Sequence, residues 1–380
     1  MPGFPTILHS EKIFNFRKHN QKCVRPTDNA GVEMNTKRQK TNRVTLKDIA
    51  LRLGLTSNTI SRALKDKDDI ALETRKKIQA AALEMGYIKD TVAGSLRSGL
   101  TNTIAVVLGD ISNPHFGIIV KEIELRARKH RYNTIIFNTD EDPQIERETL
   151  ISALGRKVDG LILCPTQANT ENVTFLKERG IPFVLIGRHF PEMEVDSVVC
   201  DDVKGGEEGT KHLIAQGHRR ILFLNGPKCI SSAAERLAGY KAALTNASIP
   251  FDPALVHEVP IVAGNSTRII DSIVKANIRF SAILAFSDLI AWEVMYALQK
   301  HGLENPKDYS IVGFDNTQSK LFFPLPMTSV GSSKTTMARF ALDLLFKRLN
   351  SDQLLPSQKR VLDTKLIVRS SSLGPVPDIE

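Results

Sequence analysis

The sequence predicts an all-α helix-turn-helix unit near its N-terminus, followed by an α/β core of two parallel-sheet subdomains. Three observations carry this reading. Two short amphipathic helices meet at a tight turn within residues 43–62. The chain's surplus positive charge is concentrated around that pair. From residue 103 onward, buried-strand runs alternate with amphipathic helices, as in parallel sheets covered on both faces.

The helix pair is RVTLKDIALRLGLTSNTISR, residues 43–62. Thr45 suits the cap of the first helix, and Asp48 sits in its first turn, where a carboxylate meets the positive helix end. Ile49, Ala50 and Leu53 share one face. Gly54 suits the left-handed position that closes a helix. Thr56 suits the cap of the second helix, whose Ile60, Ala63 and Leu64 face inward. Its outward face is Ser57, Asn58, Thr59, Ser61 and Arg62. These are hydrogen-bonding side chains of the length that reaches base edges in a major groove.

Charge separates this pair from an ordinary helical bundle. Residues 1–99 hold 19 Lys and Arg against 10 Asp and Glu, and the rest of the chain holds 32 of each. The whole formal charge of +9 therefore lies in the first quarter. Around the helix pair the basic residues include Arg43, Lys47, Arg52 and Arg62, and the nearest acid is Asp48. A basic segment around a polar helix face is what phosphate contact requires.

Residues 1–42 read as a disordered basic leader. They mix Pro, His, Asn and scattered aromatics without a period. Met34 stands directly before NTKRQKTNR and is a candidate true start, which an intact-mass measurement would test. No signal peptide is recognisable there, and no apolar run reaches the roughly 18 residues of a membrane span. The four cysteines, Cys23, Cys164, Cys200 and Cys229, form no Cys-x-x-Cys pair and match no zinc spacing. The expectation is a cytoplasmic protein with free thiols, no metal and no cofactor.

After the pair comes a polar loop at residues 65–69. A third amphipathic helix follows over residues 71–85, with Ile78, Ala81, Ala82 and Met85 as its stripe, Gly86 as its stop and Tyr87 packing back. Residues 43–88 thus form one three-helix domain. Residues 89–100 hold a short apolar face, Val92, Ala93 and Leu96, with too few turns for a helix stable alone in water.

The core strands are expected at 104–108, 134–138, 160–164, 183–187, 221–225, 282–286 and 311–314. Helices are expected at 116–130, 145–156, 171–179, 205–216, 233–246, 267–275, 289–301 and 335–350. This is too much for one simple sheet, so two subdomains of similar pattern are expected, dividing near Asp201. Residues 101–370 make this core and 371–380 a tail, which carries no leucine heptad. Ligands of such sheets sit beyond the carboxyl ends of the strands, in the cleft between lobes.

In this order VTLKDIALRLGLTSNTISRAL, YIKDTVAGSLRSG and TNTIAVVLGDISNPHF resemble the lac repressor family of bacterial transcription regulators. VDGLILCP, IPFVLIGR, HLIAQGHRRILFLNGP, ERLAGY, SDLIAW, DYSIVGFDN and FPLPMTSV continue the likeness. It runs from about residue 44 to 370. The resemblance implies a DNA-binding headpiece, a hinge helix and a periplasmic-binding-protein-like effector core. It also implies a homodimer on a palindromic operator. Family positions that read bases correspond to Ser57, Asn58 and Arg62, and Leu96 matches the hinge leucine wedged into the minor groove. The family often has proline where Lys89 stands and a larger residue where Gly94 stands. A helical glycine costs on the order of 1 kcal/mol against alanine, which weakens hinge folding.

Strand ends and the family match together mark His115 and Phe116, Arg188, Arg236, Ser287, Asp288 and Asp315 as effector-binding candidates. Arg and Asp at facing edges with Phe116 as an apolar face suit a sugar or sugar derivative; the arginines alone would also suit an anion. Asp288 has a second reading as a helix cap. The chain lacks a phosphate-binding Gly-rich loop, Gly-x-Ser-x-Gly and His-Glu-x-x-His, which disfavours a sugar-handling enzyme. A transport-type binding protein is disfavoured by the basic head. The predicted function is an effector-controlled regulator of transcription.

Overall fold

The structure, a computed structural model, describes residues 43–89, 99–261, 264–320, 326–351 and 353–374. The expected leader and most of the expected hinge segment, Leu96 included, lie outside the described residues. The chain divides into two units, Met1–Lys89 and Asp90–Glu380.

The first unit holds α1 (Leu46–Leu53), α2 (Ser57–Ala63) and α3 (Leu72–Glu84). A capping box starts α1: Asp48 N–H reaches the Thr45 hydroxyl, and the Asp48 carboxylate accepts from Thr45 N–H at 2.7 Å. Gly54 ends α1 at φ +66°, a conformation that only glycine adopts without strain. Thr56 caps α2. Ile49, Ala50, Ile60, Ala63, Ile78 and Ala82 form the core, with Tyr87 packed on it. So small a core gives modest stability.

The second unit contains two sheets of six strands each. The first is ordered β11-β5-β4-β3-β1-β2, from β1 (Thr103–Leu108), β2 (Asn133–Asn138), β3 (Gly160–Leu163), β4 (Phe183–Ile186), β5 (Ser197–Cys200) and β11 (Lys359–Leu362). The second is ordered β12-β10-β9-β8-β6-β7. Its strands are β6 (Ile221–Asn225), β7 (Val256–Glu258), β8 (Ala282–Ala285), β9 (Ser310–Phe314), β10 (Thr328–Gly331) and β12 (Lys365–Ile367). Every pairing is parallel except β10 with β12, which is antiparallel. The central strands are mostly apolar and buried because helices cover both faces.

In the first lobe, α4 (Pro114–Lys129) and α11 (Lys334–Leu349) cover one face, while α5 (Pro143–Gly155) and α6 (Glu171–Glu178) cover the other. In the second, α7 (Asp202–Ala215) and α8 (Ser231–Asn246) lie opposite α9 (Ser266–Lys275) and α10 (Asp288–Lys300). α7 and α8 cross closely. A Cβ on Gly239 would stand 2.0 Å from the Val203 carbonyl, so glycine is required there.

The expected division at Asp201 is only the first of three crossings. The chain passes to the second lobe after β5, returns after β10 into α11 and β11, and leaves again into β12. The crossings are laced together. Asp201 N–H donates to the Leu362 carbonyl at 2.9 Å, and the Cys200 thiol lies 2.9 Å from the Ser332 hydroxyl. The core also runs past its expected end at residue 370. Ser371 and Ser372 are buried, and the Ser371 hydroxyl donates to the Ile311 carbonyl.

Candidate functional site

Two sites are visible, one in each unit. On the first, Asn58 and Arg62 of α2 are exposed, and Ser57, Thr59 and Ser61 are half-buried. The Thr59 hydroxyl lies 2.9 Å from that of Thr56 at the helix cap, so it serves the cap as well as the outward face. Thr45 is likewise engaged by its capping box, while Lys47 is exposed. Arg62 is paired with Asp69 at 2.6 Å.

On the second, the carboxyl ends of β1, β3, β4, β8 and β9 open into a narrow cleft between the lobes, with a cavity volume of about 70 Å³. Six of the seven expected residues line it: His115, Phe116, Arg188, Arg236, Ser287 and Asp315. Asp288 does not. It is fully buried, one oxygen accepting the Ser329 hydroxyl at 2.6 Å and the other the Thr317 N–H at 2.8 Å. Burial first, and then the nearby Asp315 carboxylate, push its pKa up to about 7. Its task is to hold the turn after β9. The helix cap is the neighbouring Ser287, whose hydroxyl accepts from Ile290 N–H.

A larger groove, bordered by Pro182, Asp196, Arg348 and Pro356, lies at the opposite ends of the first lobe's strands. Its arginine is already bonded to Asp196, and none of the expected ligand residues reaches it. The inter-lobe cleft is the site with converging chemistry.

Both guanidinium groups of the cleft are neutralised from within. Arg188 grips both oxygens of Glu141 at 2.7 and 2.8 Å and donates to the Pro165 carbonyl at 2.7 Å. Arg236 donates to Asp202 at 2.7 Å and to the Phe286 carbonyl, and it lies over the rings of Phe286 and Phe314. Paired this way, two buried cations are held without a net charge facing the cavity.

The acceptors are less satisfied. Asp110, which follows β1, is 7% exposed, and its Oδ2 meets no hydrogen-bond donor among the described residues. Its Oδ1 accepts the Ser112 N–H at 2.8 Å. Asp315 stands at φ +94°, a backbone conformation strained for any residue but glycine. The Lys334 ammonium donates to its carbonyl, and its N–H reaches the Val330 carbonyl at 2.7 Å. These bonds hold the strained turn.

Asn113 caps α4 through the His115 N–H, and this orients the imidazole. His115 Nδ1 lies 3.3 Å from the Asp315 carboxylate, but without hydrogen-bond geometry. Burial outweighs that carboxylate and drives the His115 pKa down to about 4. The contact is therefore a neutral imidazole beside an anion, not an ion pair, at neutral pH. Phe116 packs edge-on against His115, with ring centroids 5.3 Å apart.

Asp110, Glu141, Cys164 and Ser232 also line the cleft, and sequence reading passed over all four. Asp110 carried a usable signal, because it stands two residues past the end of a strand. Glu141 and Asp202 carried none, since their partners Arg188 and Arg236 stand far along the chain. Among the described residues, no cluster of His, Cys, Asp and Glu is arranged to hold a metal ion, and no helix is long and apolar enough to cross a membrane.

Comparison with known proteins gives two family matches. Residues 45–90 match bacterial regulatory proteins of the lacI family, and residues 101–360 match the periplasmic binding proteins and sugar binding domain of the LacI family. The transcriptional regulator DegA of Bacillus subtilis is 31% identical over 333 residues, covering 87% of this chain and 98% of that protein. The transcriptional repressor CytR of Escherichia coli is 28% identical over 344 residues, covering 89% and 99%. Among solved structures, the regulator CelR in complex with cellobiose superimposes with a TM-score of 0.65 at 27% identity, covering 87% of this chain and all of that one. The lac repressor dimer bound to operator and the anti-inducer ONPF reaches a TM-score of 0.76 at 24% identity, covering 87% and 99%. With both domains matched in order, this chain belongs to the LacI family of bacterial regulatory proteins.

Proposed function

We propose that this regulator binds a two-fold-symmetric operator as a homodimer, and that a neutral polyhydroxylated ligand in the inter-lobe cleft controls that binding. The observation that carries the ligand class is the pairing within the cleft. Arg188 and Arg236 already hold carboxylates, whereas Asp110 and Asp315 retain oxygens able to accept. An anion would have to displace an internal carboxylate and face two others. A molecule rich in hydroxyl groups donates to those oxygens without such conflict. The sugars carried by two relatives, cellobiose and ribose, are of this class.

His115, Phe116, Arg188, Arg236, Ser287 and Asp315, with Asp110, form the proposed ligand set. Asp288 is left out because its oxygens are engaged elsewhere. In the headpiece, Asn58 and Arg62 read bases, with Ser57 and Ser61 beside them, while Lys47 meets phosphates and Leu96 wedges the minor groove. Ligand contacts from both lobes favour one inter-lobe arrangement. Any difference in DNA affinity between arrangements then couples the two sites.

A thermal-shift series tests the ligand class, using neutral mono- and disaccharides, the matching sugar phosphates, and purines. A neutral sugar is expected to raise the melting temperature of the core, and its phosphate is not. Stabilisation by phosphates alone would overturn the charge argument. Sedimentation with and without operator duplex tests the dimer.

A further inference from the structure

We propose that Asp69, in the loop between α2 and α3, is a positioning residue that aims the Arg62 guanidinium at one guanine. The proposal rests on the reading of α2 as the base-reading helix. Arg62 Nε donates to Asp69 Oδ2 at 2.7 Å, and Arg62 Nη2 lies 2.6 Å from the same oxygen. Both contacts lie along one edge of the guanidinium. The opposite end, with Nη1 and the second Nη2 proton, meets no partner among the described residues. That end presents two parallel N–H groups, the fork that matches O6 and N7 of guanine.

The pair is about half exposed, with side chains 46% and 49% accessible. An ion pair so exposed adds little to folding stability. Its effect is instead on the freedom of a long side chain. An unrestrained arginine must give up several rotamers on meeting a base, whereas a braced one has already done so. Among the described residues Asp69 meets only Arg62, and it does not cap α3, whose N-cap is Ala71. The adjacent Asp68 provides a matched comparison. It carries the same charge in the same loop, yet its contact is with Arg75 at 3.8 Å.

The test is selection by the full-length protein from a pool of random duplexes, followed by sequencing, for the wild type and for Arg62→Ala, Asp69→Ala and Asp68→Ala. Arg62→Ala is expected to erase the guanine preference at one position of each half-site. Asp69→Ala is expected to weaken preference at that same position by about fivefold or more and to leave the other positions unchanged. Asp68→Ala is expected to strengthen binding to all sequences alike without altering preference. Equal melting temperatures for the Asp69 and Asp68 variants would exclude a folding defect as the cause. Unchanged or sharpened guanine preference in Asp69→Ala would overturn the proposal, as would an equal loss in Asp68→Ala. If Arg62→Ala leaves every position unchanged, the base assignment itself falls, and the role of Asp69 falls with it.

Discussion

Gln167 of the first lobe caps a helix of the second. Its side-chain oxygen accepts the Ser231 N–H at 2.9 Å and lies 3.2 Å from the Ser231 hydroxyl. α8 has no cap of its own, since Ile230 occupies that position. The arrangement is locked from the other side. The Gln167 amide donates to the His189 carbonyl at 2.7 Å, and His189 N–H donates to the Ser231 hydroxyl at 3.1 Å. Opening the lobes would therefore uncap a helix, a penalty of about 1 kcal/mol on the usual scale of cap deletions.

Gln167→Ala removes this link without touching the proposed ligand set. Ligand affinity is expected to fall about fivefold, the equivalent of roughly 1 kcal/mol. Isothermal titration with a stabilising sugar measures it. Affinity equal to wild type would mean that the link does not favour the closed arrangement.

Glu141→Gln leaves Arg188 buried opposite a neutral amide. Losing one member of a buried ion pair is expected to lower the stability of the core by about 3 kcal/mol. Denaturant titration of the core transition reads this directly. A loss smaller than about 1 kcal/mol would indicate that the Pro165 carbonyl suffices for Arg188.

Asp315→Gly separates stability from function. Relief at φ +94° is expected to raise the melting temperature slightly, because such a residue stores about 1 kcal/mol or more. The same change removes a cleft carboxylate, so ligand affinity should fall by about tenfold or more. A variant that binds as well as wild type would remove Asp315 from the ligand set.

Acid acts on the core through His115. Below pH 6.5 the unfolded chain protonates this imidazole, whereas the folded one holds it neutral down to about pH 4. The folded state therefore loses stability as pH falls through that window, by up to about 3 kcal/mol from this group. Asp288, raised from 3.8 to about 7, contributes the opposite slope over the whole of that range. His115→Gln should abolish the His115 slope and leave the other. Parallel stability profiles for the variant and the wild type between pH 6.5 and 4 would show that His115 is not held neutral.

The helices were legible to within about three residues because their apolar stripes are periodic and, at Thr45 and Thr56, their caps are local. Central strands were legible as short apolar runs. Strands β5, β7, β10, β11 and β12 were not, being three or four residues long and, in β11 and β12, largely exposed or half-buried at a sheet edge. Cleft residues that follow strands could be read from position and the family resemblance together. The internal pairing of Arg188 and Arg236 could not, because it depends on contacts 47 and 34 residues away. That pairing turned two apparent anion receptors into neutralised groups.

The return of β11 to the first sheet has a consequence for synthesis. Strand β5 has β11 as its outer neighbour, and β11 follows almost the entire second lobe in the chain. While the ribosome is still making the second lobe, the first has an open sheet edge and lacks α11 from one face. A premature stop before Leu362 would thus damage the lobe that was translated first as well as the one translated last.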